Sequence, residues 1–309
     1  MTKNQDRFDA VLVIAFGGPE KLGDVRPFLI NVSQGRVPAE RLEAVAHHYE
    51  LFGGKSPVNE VTFRQAQALK ATLKNQGRPL PVYVGMRNWH PLLADTVRRM
   101  SRDGVSRAVG LIMSVYQSRS SWDQYKTDVA DVTAKAGVDL SVEYAGPLFD
   151  HPGFIEAASS QVKRCLEQLQ QPDRQAACVL FTAHSLPYSD PQVELYAKQV
   201  DHSATLVARK LGHATWKLAY QSRSGRPQDP WLEPDVNDVL RELGLLGVKH
   251  VVAVPIGFVS DNIEVLYDLD IEAMETARQA GITLLRAKTV GEDKAFVNAL
   301  TDLVTKVLG

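Results

Sequence analysis

Three observations in the sequence predict an α/β protein made of two Rossmann-like lobes, each a parallel sheet flanked by helices. Short, continuous apolar runs such as VLVIAF (11–16) and VVAV (251–254) end abruptly at glycine or proline, as buried parallel strands do. Segments of helical period alternate with these runs, which predicts right-handed crossovers. The alternation then starts again in the second half, after the Pro/Gly-rich stretch in DLSVEYAGPLFDHPGF. A boundary near residue 145 follows, giving lobes 1–145 and 146–309, with the last helix able to pack back on the first lobe and a cleft expected between the carboxyl ends of the two sheets.

Taken in order, VLVIAF is the first strand, closed by Gly17, Gly18 and Pro19; this turn is neither GxGxxG nor a P-loop. PAERLEAVAHHYEL (38–51) has helical period, FGGKSPVNE breaks into a loop, and VTFRQAQALKATLKN is helical again. PVYVGMRNWHP is a strand leaving into a polar, aromatic loop, LADTVRRMSRDG a helix, SRAVGLIMSVY a strand, and QSRSSWDQYKTDVADVTAK a polar lip that becomes helical. The second half reads as a helix over 153–170, the strand ACVLFTA, a helix over 191–211, the strand TWKLAYQS, a helix over 234–245, and VVAV. A helix opening at Ser260 or Asp261, the strand ITLLRA and a helix over 293–308 complete it.

Composition excludes several function classes. Thirty-five basic against 36 acidic residues, a formal net charge of −1, leave no footprint for nucleic acid. No apolar stretch approaches the ~20 residues that span a bilayer, and the start MTKNQDRFDA lacks a signal-peptide core, so no integral membrane segment and a cytoplasmic location are expected. Two cysteines, Cys165 and Cys178, cannot build a disulfide framework or a four-cysteine iron–sulfur site. Nothing in the pattern marks a subunit interface, so a monomer is expected.

The chemistry-bearing residues cluster at strand ends. ACVLFTA delivers His184, an imidazole placed where a proton could be transferred. TWKLAY delivers Gln221, Ser222 and Arg223, while Trp231 follows in DPWLEPDV. After VVAV, Glu264, Asp268 and Glu272 fall at i, i+4 and i+8 on one helix face. By spacing alone that row is more often a solvated acidic surface, and a single histidine at a strand end is more often structural. Position beyond the carboxyl end of a strand, where open α/β sheets bind ligands, favours the functional reading.

FTAHSLP, YQSRSG with DPWLEPDV, and VPIGFVSDNIEVLYDLD resemble the consecutive C-terminal motifs of the ferrochelatases. AFGGPE, LFGGKSPVN and GMRNWHP resemble the N-terminal motifs in the same order, so the likeness covers nearly the whole chain. It is nearest to the short bacterial members, including those that use coproporphyrin III. The resemblance implies flavodoxin-like lobes holding a porphyrin, and ferrous iron as substrate with no prosthetic group and no iron–sulfur cluster. It implies His184 and Glu264 as catalytic and metal-binding residues, with Asp268 and Glu272 completing an acidic relay. A four-carboxylate substrate calls for cations and hydroxyls, and the expected substrate contacts are Phe16, Arg36, Ser56, Arg87, Arg119, Tyr125, Ser222, Arg223 and Trp231. Elementary chemistry agrees, because two pyrrole protons must leave and the dication needs weak, transient ligands rather than a thiolate cage.

Three positions depart from the family pattern: Phe16 replaces a common tyrosine, Asn262 a second histidine, and Asn88 a histidine of some short members. The short polar lip QSRSSWDQY and the hydroxyls and cations above favour the four-carboxylate coproporphyrin III over protoporphyrin IX. Other readings are a cobalt or nickel chelatase of the same fold, and a non-catalytic haem or metal carrier that keeps the cleft.

Overall fold

The computed structural model describes residues 7–35, 37–224 and 228–309. The chain divides into two compact units: residues 1–113 with 122–146 and 297–309, and residues 114–121 with 147–296.

In the first unit, β1 (Ala10–Ala15) is buried along its whole length. It is followed by α1 (Leu22–Ser33), α2 (Ala39–Leu51), α3 (Val58–Asn75), β2 (Val82–Met86), α4 (Leu93–Arg102) and β3 (Arg107–Ile112). A π-helical segment, Arg119–Asp123, whose residues up to Ser121 belong to the second unit, then leads into α5 (Gln124–Ala136) and β4 (Ser141–Tyr144). The sheet is parallel, in the order β2-β1-β3-β4. Ala10, Leu12 and Ile14 of β1 form one core with Leu93, Val97 and Met100 of α4 and with Trp122, Tyr125 and Val129. Helix α1 is absent from the sequence expectation: its buried Val25, Phe28 and Leu29 do have helical spacing, but Pro27 in its interior, which removes a backbone donor, reads as a helix breaker.

The second unit continues with α6 (Pro152–Leu166), the single turn α7 (Asp173–Ala176), β5 (Cys178–His184), α8 (Val193–Leu211), β6 (Trp216–Gln221), α9 (Val236–Leu245) and β7 (His250–Val254). Beyond β7 come α10 (Ile263–Tyr267), a second π-helical segment (Asp268–Ala273), α11 (Met274–Gln279) and β8 (Thr283–Arg286); α12 (Lys294–Leu308) follows, and from Val297 onward it belongs to the first unit. This sheet is also parallel, in the order β6-β5-β7-β8. Cys178 and Leu180 of β5 and Val251 and Ala253 of β7 share a core with Val239, Leu240 and Leu243 of α9 and with Val265, Leu269, Ala273 and Ala277. Among the described residues, no helix is long and apolar enough to cross a membrane.

The observed elements follow the expected alternation, with shifts at the ends. The helix expected over 153–170 ends at Leu166, and that expected over 234–245 begins at Val236 behind the Asp235 cap, whose side chain accepts from the Asn237 N–H at 2.8 Å. The helix after β7 is capped by neither Ser260 nor Asp261. Asn262 takes that role, its Oδ1 accepting the Val265 N–H at 2.9 Å, because Asp261 is drawn instead to Arg286.

Candidate active site

In each sheet the central pair of strands departs in opposite directions, and the second unit's pair is β5 and β7. Their carboxyl ends form the switch point at which open α/β sheets leave room for a ligand. Gly257 makes the exit from β7 compact: a Cβ there would lie 2.9 Å from the backbone of Ala183, so a side chain would push the two strand ends apart.

His184 is the last residue of β5 and is paired in register with Gln221, the last residue of β6. Its Nδ1 lies 2.5 Å from the Ser185 carbonyl oxygen. A carbonyl only accepts, so the proton sits on Nδ1 and the Nε2 lone pair is left open. That Nε2 faces the Glu264 carboxylate at 3.9 Å. The backbone behind the histidine is held by the buried Tyr196 hydroxyl, which donates to the His184 carbonyl at 2.8 Å, and by the Ser185 hydroxyl, which donates to the Leu232 carbonyl at 2.8 Å.

Glu264 lies in the first turn of α10, and Asp268 opens the π-helical segment. An α-turn of 3.6 residues carries position i+4 about 40° past position i, so an uninterrupted α-helix would let an i, i+4, i+8 row drift around its surface. The wider π turn between Asp268 and Glu272 turns the second step back toward the first. The three acids are close enough that Glu264 and Glu272 both act on Asp268. Burial, aided by those neighbouring charges, raises the Asp268 carboxyl from 3.8 to about 7, against the opposing pull of the Ser222 hydroxyl bond and His184. Burial, and then Asp235, raise Glu272 as well.

Asp268 is held from the end of β6. The Ser222 hydroxyl donates to its Oδ2 in a short bond, and the Gln221 amide donates to the same oxygen at 3.3 Å. Ser222 adopts φ 60°, a left-handed conformation uncommon for a residue with a side chain, which turns its hydroxyl to this bond. Among the described residues, no group of three or more His, Cys, Asp or Glu side chains is placed to cage a metal.

The other expected residues are distributed over both units. In the first, Phe16 is exposed at the end of β1, its ring edge-on to Phe28 with centroids 6.3 Å apart. Ser56 is buried, with its backbone N–H on the Pro19 carbonyl at 2.8 Å. Arg87 is paired with Asp128 at 2.6 Å and lies over the buried Tyr125 ring, 5.5 Å from its centroid. In the second, Arg119 is exposed in the first π-helical segment, and Arg223 donates to the Asp229 carbonyl at 2.9 Å. Trp231 is nearly buried and bridged to Pro187, three residues after His184. Arg36 lies outside the described residues. Asn88 is buried, its carbonyl accepting from the Asn31 amide at 2.8 Å.

Comparison with known proteins decides the family: the family model described as Ferrochelatase matches residues 8–308. The chain belongs to the ferrochelatase family. It is 43% identical over 307 residues to the coproporphyrin III ferrochelatase of Mycobacteroides abscessus, covering 97% of this chain and 89% of that protein. It is equally 43% identical to that of Streptomyces coelicolor, with 98% and 86% covered. Among solved structures, the sirohydrochlorin chelatase SirB from Bacillus subtilis subspecies spizizenii in complex with cobalt superposes with a TM-score of 0.56 at 13% identity, over 97% of this chain and 95% of that one. At that identity the likeness concerns the fold alone. The hydrogen bonds and the local helix geometry add supports of the histidine and acid row to which the sequence assigns no role: Tyr196, Ser185, the Gln221 amide and the π turn. Gln221 had a signal, since it ends a strand as His184 does; a π turn has none in a 3.6-residue pattern.

Proposed function

We propose that this protein is a ferrochelatase, a lyase that inserts Fe(II) into coproporphyrin III with release of two protons, in haem biosynthesis. Support for this substrate comes from relatives at 43% identity and near-full coverage that are named coproporphyrin III ferrochelatases. The observation that carries the chemistry is the open Nε2 of His184 facing Glu264 at 3.9 Å beside an acid whose carboxyl titrates at about 7.

In this reading His184 Nε2 accepts a pyrrole proton, since its Nδ1 proton is already committed to the Ser185 carbonyl. Glu264 offers the arriving iron one carboxylate, a weak ligand that helps strip water from the dication without retaining it. Asp268 and Glu272 continue the row and receive protons in turn. Ser222 serves this row by holding Asp268, while Arg119 and Arg223 are the second unit's cations for substrate carboxylates. On the first unit, the exposed Phe16 and the half-buried Arg87 are proposed to contact the macrocycle, whereas Ser56 and Tyr125 are buried within that unit. Cys165 and Cys178, both buried free thiols, fit a reducing compartment, and we place the activity in the cytoplasm.

The test is anaerobic Fe(II) with coproporphyrin III or protoporphyrin IX, followed by the change in the porphyrin absorption bands. Faster insertion into coproporphyrin III is expected. Absence of turnover with both refutes the activity, and preference for protoporphyrin IX refutes the substrate.

A further inference from the structure

Behind the acid row lies a second charged assembly that the proposed chemistry does not use. Arg286, the last residue of β8, is mostly buried, with its side chain 13% exposed. Its Nε donates to Asp270 Oδ1 at 2.5 Å, and its Nη1 lies 3.3 Å from both Asp261 oxygens. Asp261 also accepts the Thr289 N–H at 3.4 Å. The two carboxylates are not equivalent in sequence. Asp261 stands three residues before Glu264, just ahead of the Asn262 cap, and Asp270 stands inside the π turn, two residues from both Asp268 and Glu272. Two residues along a helix is about half a turn, so Asp270 lies on the side away from the row.

We infer that Arg286 is a positioning residue for metal insertion: by bridging Asp261 and Asp270 it fixes the start of α10 and its π turn, and so keeps Glu264, Asp268 and Glu272 in one line. A planar guanidinium can present separate N–H groups to two carboxylates, whereas an ammonium cannot span them with the same geometry. The row itself gives the clamp a purpose. Three like-charged groups repel, and the π turn is an uncommon conformation, so the arrangement needs an opposing anchor. The front of the helix has one in Ser222 and Gln221 on Asp268; Arg286 supplies the other from behind.

The inference rests on the proposed metal-insertion activity, so its test has an arm that does not depend on turnover. R286Q, R286K and D270N are compared with the unaltered protein for kcat, for KM toward the porphyrin and the metal, and for thermal midpoint. R286Q and D270N are expected to lower kcat at least tenfold while changing the porphyrin KM less than twofold. R286K is expected to recover the thermal midpoint without recovering kcat. Separately, Co(II) alone is titrated into each protein by visible absorption, and R286Q and D270N are expected to weaken its binding at least tenfold. A folded R286Q with kcat and Co(II) affinity within twofold of the unaltered protein overturns the clamp. Should R286Q fail to fold, D270N decides by the same criteria, because it removes one arm and leaves the Asp261 arm in place. If the unaltered protein inserts no metal, the activity falls and the Co(II) titration alone judges the clamp.

Discussion

Asp268 offers the most direct test of the site, because its environment makes opposite demands on stability and activity. Its carboxyl titrates at about 7 in the folded protein against an ordinary 3.8. The folded state therefore binds this proton more tightly than the unfolded chain does. Below about pH 3.8 both states hold the proton and it contributes nothing to pH dependence. Between 3.8 and about 7 the unfolded chain has released it while the folded protein retains it, so stability falls as pH rises, and the loss is complete above about 7. At 1.36 kcal/mol per pH unit the full interval corresponds to about 4 kcal/mol. Asp268→Asn removes the charge and keeps an acceptor for the Ser222 hydroxyl. The variant is expected to exceed the unaltered protein in stability by up to about 4 kcal/mol at pH 9, and to match it near pH 4.

Activity should respond in the reverse sense. In the unaltered protein the insertion rate rises through about pH 7 as the carboxylate forms, and in Asp268→Asn that rise disappears and the rate stays low. Urea midpoints at pH 4, 7 and 9 and initial rates from pH 5.5 to 9 measure both effects. A variant destabilised equally at every pH, or one that keeps the rise near pH 7, refutes the assignment of a buried, proton-exchanging acid at this position.

Three further outcomes follow from the same geometry. His184→Ala and Glu264→Ala are each expected to slow insertion by at least about 100-fold with thermal midpoints little changed, since both side chains are partly exposed at a strand or helix end; near-normal turnover in either removes that residue from the chemistry. Ser222→Ala deletes the hydroxyl that holds the Asp268 carboxyl down, so the acid limb of the rate profile should move to higher pH, and an unmoved limb would show that the bond does not tune this group. Arg87→Gln removes the cation paired with Asp128, which keeps the Gln124 amide, and should cost about 1–3 kcal/mol in urea unfolding; a raised porphyrin KM with unchanged stability would make Arg87 a substrate contact first.

The sequence makes the sheets legible because their strands are buried on both faces and therefore apolar without interruption, as in AVLVIA and CVLFTA. His184 could be singled out because it stands where such a run stops, whereas Glu264, in the first turn of the helix that follows VVAV, stands out through its i, i+4, i+8 spacing with Asp268 and Glu272. Other features are set by contacts that no local pattern encodes. Asp261 and Asn262 are equally good caps by residue type, and the choice between them depends on Arg286, which arrives 25 residues later. The π turn leaves the residue spacing unchanged and alters only the rotation per residue, so i, i+4, i+8 reads the same with or without it. Ser222 reads as a loop hydroxyl near substrate, and only the fold reveals that it is bonded to Asp268.

The proposed reaction turns these details into a single requirement. Each insertion releases two protons into a space that an Fe(II) dication is entering, so acceptors must take protons while the local positive charge is rising. A carboxylate with an ordinary value of 3.8 is a poor acceptor at neutral pH, and a strong base would hold the proton and stop the next cycle. An acid brought to about 7 by burial and by its neighbours both accepts and releases at working pH. That value depends on how deeply Asp268 is buried and how near Glu264 and Glu272 stand, which the π turn and the bonds from Ser222 and Gln221 determine. The row that looked by spacing like a solvated acidic face is thus costly to stability above neutral pH, and the same cost is what lets its middle member exchange protons there.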